Sequence, residues 1–274
     1  VKEKVLKRLL LIFGICFFLL FFLTPFLWMV AVSFSSSPNL AVRGGFRFTM
    51  ENYSNILGNK NLHFPDYLKN SLIVSSLSSI ISAIIGGMCA YVISRFRFRG
   101  RTILILSVLA LSMFPQICIV GYLFKIMSSA SWINTYRALF FPYVAFSLPL
   151  ALWILLGYFS QIPGEIDEAA LVDGATRWQT FFKVIVPITL PGFLSAFLLL
   201  FMFAFNEFLF ALMLTVDHRA RTVPVGIALF QGLHGEIPWG NIMASSVLSC
   251  LPLVLIAVAA QRYVIRGLTG GALK

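Results

Sequence analysis

The sequence predicts an all-α integral membrane protein: six transmembrane helices, with a polar loop of two short helices between spans four and five. Three observations carry this. Hydrophobic residues make up 59% of the chain and charged residues only 11%, with a mean hydropathy of +0.91, outside the balance of a soluble domain. The apolar residues fall into runs of the ~20 residues that cross a ~30 Å hydrocarbon core, and about five to seven such runs exhaust the chain, leaving no room for a large soluble domain. Finally, the run from Glu165 to Pro187 is polar between two apolar stretches, so it must fold as a loop or bind something.

The elements follow in order. Span one covers about residues 9–32 and ends at the Ser33 to Pro38 cluster. Its apolar run is longer than a signal-peptide core and lacks a small-residue cleavage site, so it is read as a span that stays in place. Residues 39–66, with Gly44-Gly45 and several Asn, read as an extra-membrane loop. Span two, about 67–94, is rich in Ser and carries Gly86-Gly87, small residues that let helices approach closely. Arg95-Phe-Arg-Phe-Arg-Gly-Arg101 is a basic turn. Span three is about 102–127 with Pro115-Gln116 inside it, and span four about 138–158 with Pro142 and Pro149; a bundle tolerates such prolines where neighbours satisfy the freed carbonyls. After the polar loop at 161–187, span five runs over about 188–215, an outer loop to residue 238, and span six over about 241–260, followed by a tail at 261–274.

Orientation follows from the cations. Thirteen Lys and Arg sit on the side of the N-terminus, the Arg95 turn, the polar loop and the tail, against eight on the other side. Both termini and the polar loop are therefore expected in the cytoplasm. The net charge of +11 has the same origin, since basic residues gather at span ends rather than on a polar face. No nucleic-acid partner is expected, and the Arg95 turn reads as a membrane anchor. Cys16, Cys89, Cys118 and Cys250 lie in or beside apolar runs without paired spacing, and His63, His218 and His234 share no ligand spacing, so neither a disulfide nor a metal site is expected.

The polar loop reads as two helices. Pro163 and Gly164 end the fourth span, and Glu165, Asp167 and Glu168 crowd the first turn of a new helix, where the dipole favours negative charge. Ile166, Ala169 and Ala170 fall at i, i+3 and i+4, a face flat enough for close approach by another backbone. Gly174 suits the left-handed residue that closes this helix. Thr176 and Gln179 form a T-x-x-Q capping box that opens a second helix, with Trp178, Phe181, Phe182 and Ile185 as its apolar stripe and Pro187 and Pro191 marking the handover to span five. Two readings fit such a hairpin: an amphipathic element lying on the lipid surface, or a docking element for another protein.

The string Glu168-Ala169-Ala170, Gly174, then Val184-x-Val186-Pro187 resembles the cytoplasmic signature of the permease subunits of binding-protein-dependent ABC importers. The family has Ile and Leu where Val184 and Val186 stand. Glu-Ala-Ala-x-x-Asp-Gly-Ala with Phe-Phe-Lys-Val, Asn206-Glu207-Phe208 and the ending Gly267 to Lys274 are similar to the smaller permease of maltose-type carbohydrate importers. The resemblance implies that Glu168, Ala169, Ala170, Asp173, Gly174 and Pro187 form the coupling site for a nucleotide-binding ATPase dimer, and that the tail, with Gly270, Gly271 and Lys274, reaches that dimer. It further implies a second permease subunit, an extracytoplasmic solute-binding protein, and a place in a prokaryotic cytoplasmic membrane. The chain has no G-x-x-x-x-G-K-[ST] phosphate loop, so ATP and Mg are expected to be used by the partners and this subunit to be non-catalytic.

For the cargo, Asn206 and Glu207 stand out, flanked by Phe203, Phe205, Phe208 and Phe210. An acid within a span belongs in the bundle interior or against water. It either touches substrate, as aromatic and hydroxyl-bonding groups suit a sugar, or gates and bonds helices. Gln116 and Trp153 are further pathway candidates, with packing as the alternative. The outer loop at 216–239 either contacts the binding protein, as the resemblance implies, or caps the bundle. A glycerol phosphate or polyol-like solute is the alternative cargo, though the spans hold no buried cation. An ion-gradient-driven transporter is the alternative class, and it would carry several acids in its spans where this chain has Glu207.

Overall fold

The structure, a computed structural model, describes residues 2–36, 47–59, 61–230 and 237–269. Gly270, Gly271 and Lys274 of the expected tail contact lie outside the described residues. Among the described residues four helices are long and apolar enough to cross a membrane: Leu6–Ser33, Phe64–Arg95, Tyr136–Phe159 and Trp239–Gln261. Two bent pairs supply the other two spans if each pair counts as one, Arg101–Ser112 with Gln116–Ser129 and Arg177–Ile188 with Leu190–Phe205. Among the described residues the one β pairing is an isolated bridge between Ser35 and Phe48.

The chain divides into two compact units, the first comprising residues 1–65 and 227–251. Here α1 (Lys2–Ser33) exposes almost all of its Leu and Phe side chains, as suits a helix bathed in lipid. The expected loop at 39–66 contains a short helix, α2 (Glu51–Gly58), whose Ile56 is fully buried. It is tied to the end of α1 by the Ser33 hydroxyl and Tyr53 phenol, 2.8 Å apart, and by the Asn52 amide donating to the carbonyls of Ser33 and Ser35. A single buried residue on a polar helix leaves a weak periodic signal, which is why residues 51–58 read as loop.

The second unit comprises residues 66–226 and 252–274. It is built on α3 (Phe64–Arg95), α4 (Arg101–Ser112), α5 (Gln116–Ser129) and α6 (Tyr136–Phe159). The loop helices α7 (Glu165–Val172) and α8 (Arg177–Ile188) follow, then α9 (Leu190–Phe205), α10 (Leu209–Leu214) and α11 (Val223–Ala228), while α12 (Trp239–Thr269) begins in the first unit and belongs to the second from Pro252 onward. One apolar cluster gathers Tyr91 and Ile93 of α3, Leu155 and Phe159 of α6, Phe181 and Ile185 of α8, and Leu200 of α9. A second gathers Val74, Val120, Leu139, Tyr143, Phe210 and Leu214 toward the opposite ends of the same spans.

Three expectations are corrected. Span three is not one helix: α4 and α5 meet at 86° across Met113 to Pro115, because Pro115 lacks an N–H and biases the residue before it away from helix. Span five is interrupted at Asn206 to Phe208, between α9 and α10. The tail expected from residue 261 is helical as far as Thr269, continuing the sixth span.

The Gly86 expectation of close helix approach has a concrete partner. A Cβ there would lie 2.6 Å from the Ala151 Cβ and 3.2 Å from its carbonyl carbon, so α3 and α6 meet almost backbone to backbone. Gly86→Val is expected to wedge these spans apart and destabilise the protein by about 1–3 kcal/mol. A thermal unfolding midpoint in detergent equal to that of the wild type would show that the contact has slack.

The turn after α10 is held by side chains from elsewhere in this unit. The Asn70 amide donates to the carbonyls of His218 and Arg221 and accepts from the Tyr136 hydroxyl, while the Asn134 amide donates to Asp217 at 2.8 Å. This amide, with the backbone N–H and side chain of Arg219, holds the Asp217 carboxyl well below the usual aspartate range. A depressed folded pKa stabilises above the unfolded value, and that contribution is lost as pH falls. Below the ordinary aspartate pKa of about 3.9, the thermal midpoint of the wild type should therefore approach that of Asp217→Asn; a constant gap from neutral to acid pH would refute this.

Candidate functional site

The polar loop folds as its caps dictate. At the end of α7, Gly174 has φ +86°, its N–H donates to the Leu171 carbonyl, and the Ala175 N–H reaches back to Ala170. This is a Schellman closure, where a residue with a Cβ would be strained. Thr176 and Gln179 complete a reciprocal capping box, the Gln179 N–H donating to the Thr176 hydroxyl and the Thr176 N–H to the Gln179 side chain. Helix α8 then widens into a π turn over Thr180–Ile185, which makes room for the Pro187 ring where it would clash with the carbonyl four residues earlier. A bend of 77° hands the chain to α9.

Two faces expected to be continuous are divided. Ala169 is exposed while Ala170, 9% exposed, turns inward with Ile166. The two alanines therefore do not form one flat docking face. In α8, Phe181 and Ile185 enter the core, whereas Trp178 and Phe182 stack on each other at the surface. Of the expected coupling residues, Glu168, Ala169, Asp173, Gly174 and Pro187 are exposed, alongside Arg177, Trp178, Phe182 and Lys183 of α8.

Asp167, expected only as a helix-dipole charge, is the buried centre of the loop. Its carboxylate lies 2.9 Å from Arg95 Nε, with the two side chains 6% and 13% exposed, and accepts from the Tyr91 hydroxyl at 2.6 Å. Arg95 Nη1 also donates to the Ile162 carbonyl just before α7. The Tyr91 ring packs on Phe181 of α8 with centroids 5.0 Å apart, and the Arg177 guanidinium lies over the Phe96 ring at 5.4 Å. Both halves of the loop are thus gripped by the end of α3. The acid and its partner stand 72 residues apart in the chain, so helical periodicity carried no signal of the pairing; a charge on the inward face beside Ile166 and Ala170 was the available hint.

The pathway candidates separate. Gln116 and Trp153 come together in an open cavity of about 490 Å3, lined also by Ser112, Phe114, Phe146 and Phe203. The bend at Pro115 puts Gln116 there, since it opens α5 at the break. Phe205 is 3% exposed in the core. Asn206 donates to the Met202 carbonyl of its own helix, and Glu207, 8% exposed, accepts from the backbone N–H groups of Phe210 and Ala211 at 2.7 and 3.1 Å. The pair therefore caps the two helix ends at the break in span five and does not line the cavity. Helix hydrogen bonding, one of the two readings of Glu207, is what this geometry displays.

A family described as binding-protein-dependent transport system inner membrane component matches residues 82–270. The trehalose/maltose transport system permease protein MalG of Thermococcus litoralis is 54% identical over 100% of this chain and 99% of its own. The trehalose transport system permease protein SugB of Mycobacterium tuberculosis is 37% identical over 92% of each. Among solved structures, a chain of a bacterial ABC transporter involved in import of the acidic polysaccharide alginate superposes with a TM-score of 0.79 at 19% identity, covering 96% of this chain and 98% of that one. The last likeness speaks for the fold.

Proposed function

The chain belongs to the family of binding-protein-dependent transport system inner membrane components, and on that premise we propose that it is the transmembrane permease subunit of an ATP-driven importer that passes a sugar across a prokaryotic cytoplasmic membrane. The observation that carries the cargo is the full-length 54% identity to a trehalose/maltose permease. The cavity supports it: four aromatic rings offer faces for the apolar C–H surfaces of a sugar, and Ser112 and Gln116 offer hydroxyl partners. Its lining among the described residues carries no cationic side chain, which suits a neutral sugar better than a polyol phosphate.

The loop α7–α8 faces the cytoplasm, as do both termini, and its outward residues Glu168, Ala169, Asp173 and Gly174 seat in a nucleotide-binding subunit. Ala170 contributes from within, setting the depth of α7 against the core. ATP and Mg act in that partner dimer, whose closure moves the loop and switches the spans between inward-open and outward-open states. A second permease completes the pathway, an external binding protein delivers the sugar, and the tail residues Gly270, Gly271 and Lys274 reach the ATPase dimer.

The test is copurification followed by transport in proteoliposomes. The chain is expected to retain an ATPase subunit and a second permease, and uptake of radiolabelled trehalose or maltose to require ATP and a loaded binding protein. Uptake by the purified chain alone would overturn the reading. Uptake of a glycerol phosphate but of neither disaccharide would overturn the cargo while leaving the importer.

A further inference from the structure

The end of α3 touches both halves of the polar loop, and the contacts differ in kind. The largely buried Arg95 and Asp167 charges meet at 2.9 Å, and the Tyr91 hydroxyl donates to the other oxygen of this carboxylate on α7. The Tyr91 ring and the Phe96 ring hold α8 through Phe181 and Arg177. Arg95 also reaches the carbonyl of Ile162 ahead of α7. The loop is covalently attached to α6 and α9 and shares an apolar cluster with Ile93 of α3, and the charged contacts add to these a directional link between α7 and the end of α3. With them, any rigid movement of α7 must drag the charged end of α3, a helix of 32 residues that meets α6 backbone to backbone at Gly86.

We propose that Tyr91, Arg95 and Asp167 are positioning residues that carry the movement of the ATPase-docked loop into α3, so that hydrolysis and opening of the pathway remain linked. The proposal rests on the importer reading given above. Asp167 and Arg95 face inward, 6% and 13% exposed, so they act behind the docking surface rather than on it. A buried pair of opposite charges suits this task because it resists separation in any direction, whereas an apolar contact lets helices slide.

The test uses the assembled importer in proteoliposomes, reading sugar transported per ATP hydrolysed alongside ATPase copurification. Asp167→Asn is expected to keep the ATPase subunit, to hydrolyse ATP with little dependence on the loaded binding protein, and to lower the sugar-to-ATP ratio about three- to thirtyfold. Tyr91→Phe, which removes one hydroxyl and keeps the ring, should shift the ratio in the same direction by less and supplies the answer if Asp167→Asn does not reach the membrane. The exchanged pair Arg95→Asp with Asp167→Arg should regain much of the ratio. A purely structural role would lower yield and thermal midpoint at an unchanged ratio, and that result in both single variants would overturn the proposal. Loss of ATPase copurification from the variants alone would also overturn it, by placing these residues in docking. A wild-type chain that holds no ATPase would overturn the importer reading itself.

Discussion

Arg95→Ala is expected to destabilise the protein by about 3–5 kcal/mol, because it strands the Asp167 carboxylate, 6% exposed, without its counter-charge. The Tyr91 hydroxyl at 2.6 Å would remain as its one side-chain hydrogen-bond donor. The thermal midpoint in detergent reads the loss. A double variant, Arg95→Ala with Asp167→Ala, should recover much of it, since neither charge is then buried alone. A double variant as unstable as the sum of the two single ones would show that the pair contributes only through packing. Arg95→Lys should fall between, because an ammonium cannot reach both the carboxylate and the Ile162 carbonyl with the fork of a guanidinium.

The second large effect is at the break in span five. Glu207→Leu removes the acceptors for the Phe210 and Ala211 N–H groups, both residues being 0% exposed. Each unsatisfied buried donor costs about 1–3 kcal/mol, and inside a bilayer no water replaces the lost partner. Glu207→Gln keeps one carbonyl oxygen and should lose about half as much. The expected order of thermal midpoints is wild type, then Gln, then Leu. Sugar uptake that survives in Glu207→Gln at unchanged apparent affinity would agree with a capping role; a large loss of affinity without loss of stability would restore the acid to the substrate path.

The closures of the loop helices were legible to the level of their local hydrogen bonds. Gly174 as the left-handed closure and Thr176-x-x-Gln179 as a capping box are local devices, completed within a few residues, so their chemistry is written in the spacing. The same holds for Gly86-Gly87 as a place of close approach, although which helix approaches is not local. The Asn206-Glu207 pair was visible as an oddity but not as a pair of caps, because an apolar run of spanning length masks an internal break. Met113 to Pro115 is similar: the proline announces disturbance, yet the 86° angle depends on what α4 and α5 pack against.

Hydrophobicity, summed over whole segments, determines that this chain crosses a membrane several times and that a polar loop interrupts its apolar runs. Those sums depend only on composition along the chain, and the solvent enforces them. Tertiary structure alone decides that Asp167 faces Arg95 and Tyr91, that Ala170 turns from its neighbour, and that Gln116 and Trp153 share a cavity. Each of these is a meeting of residues far apart in sequence, and such meetings are selected by packing among several helices at once, a constraint that no single helix carries in its own periodicity.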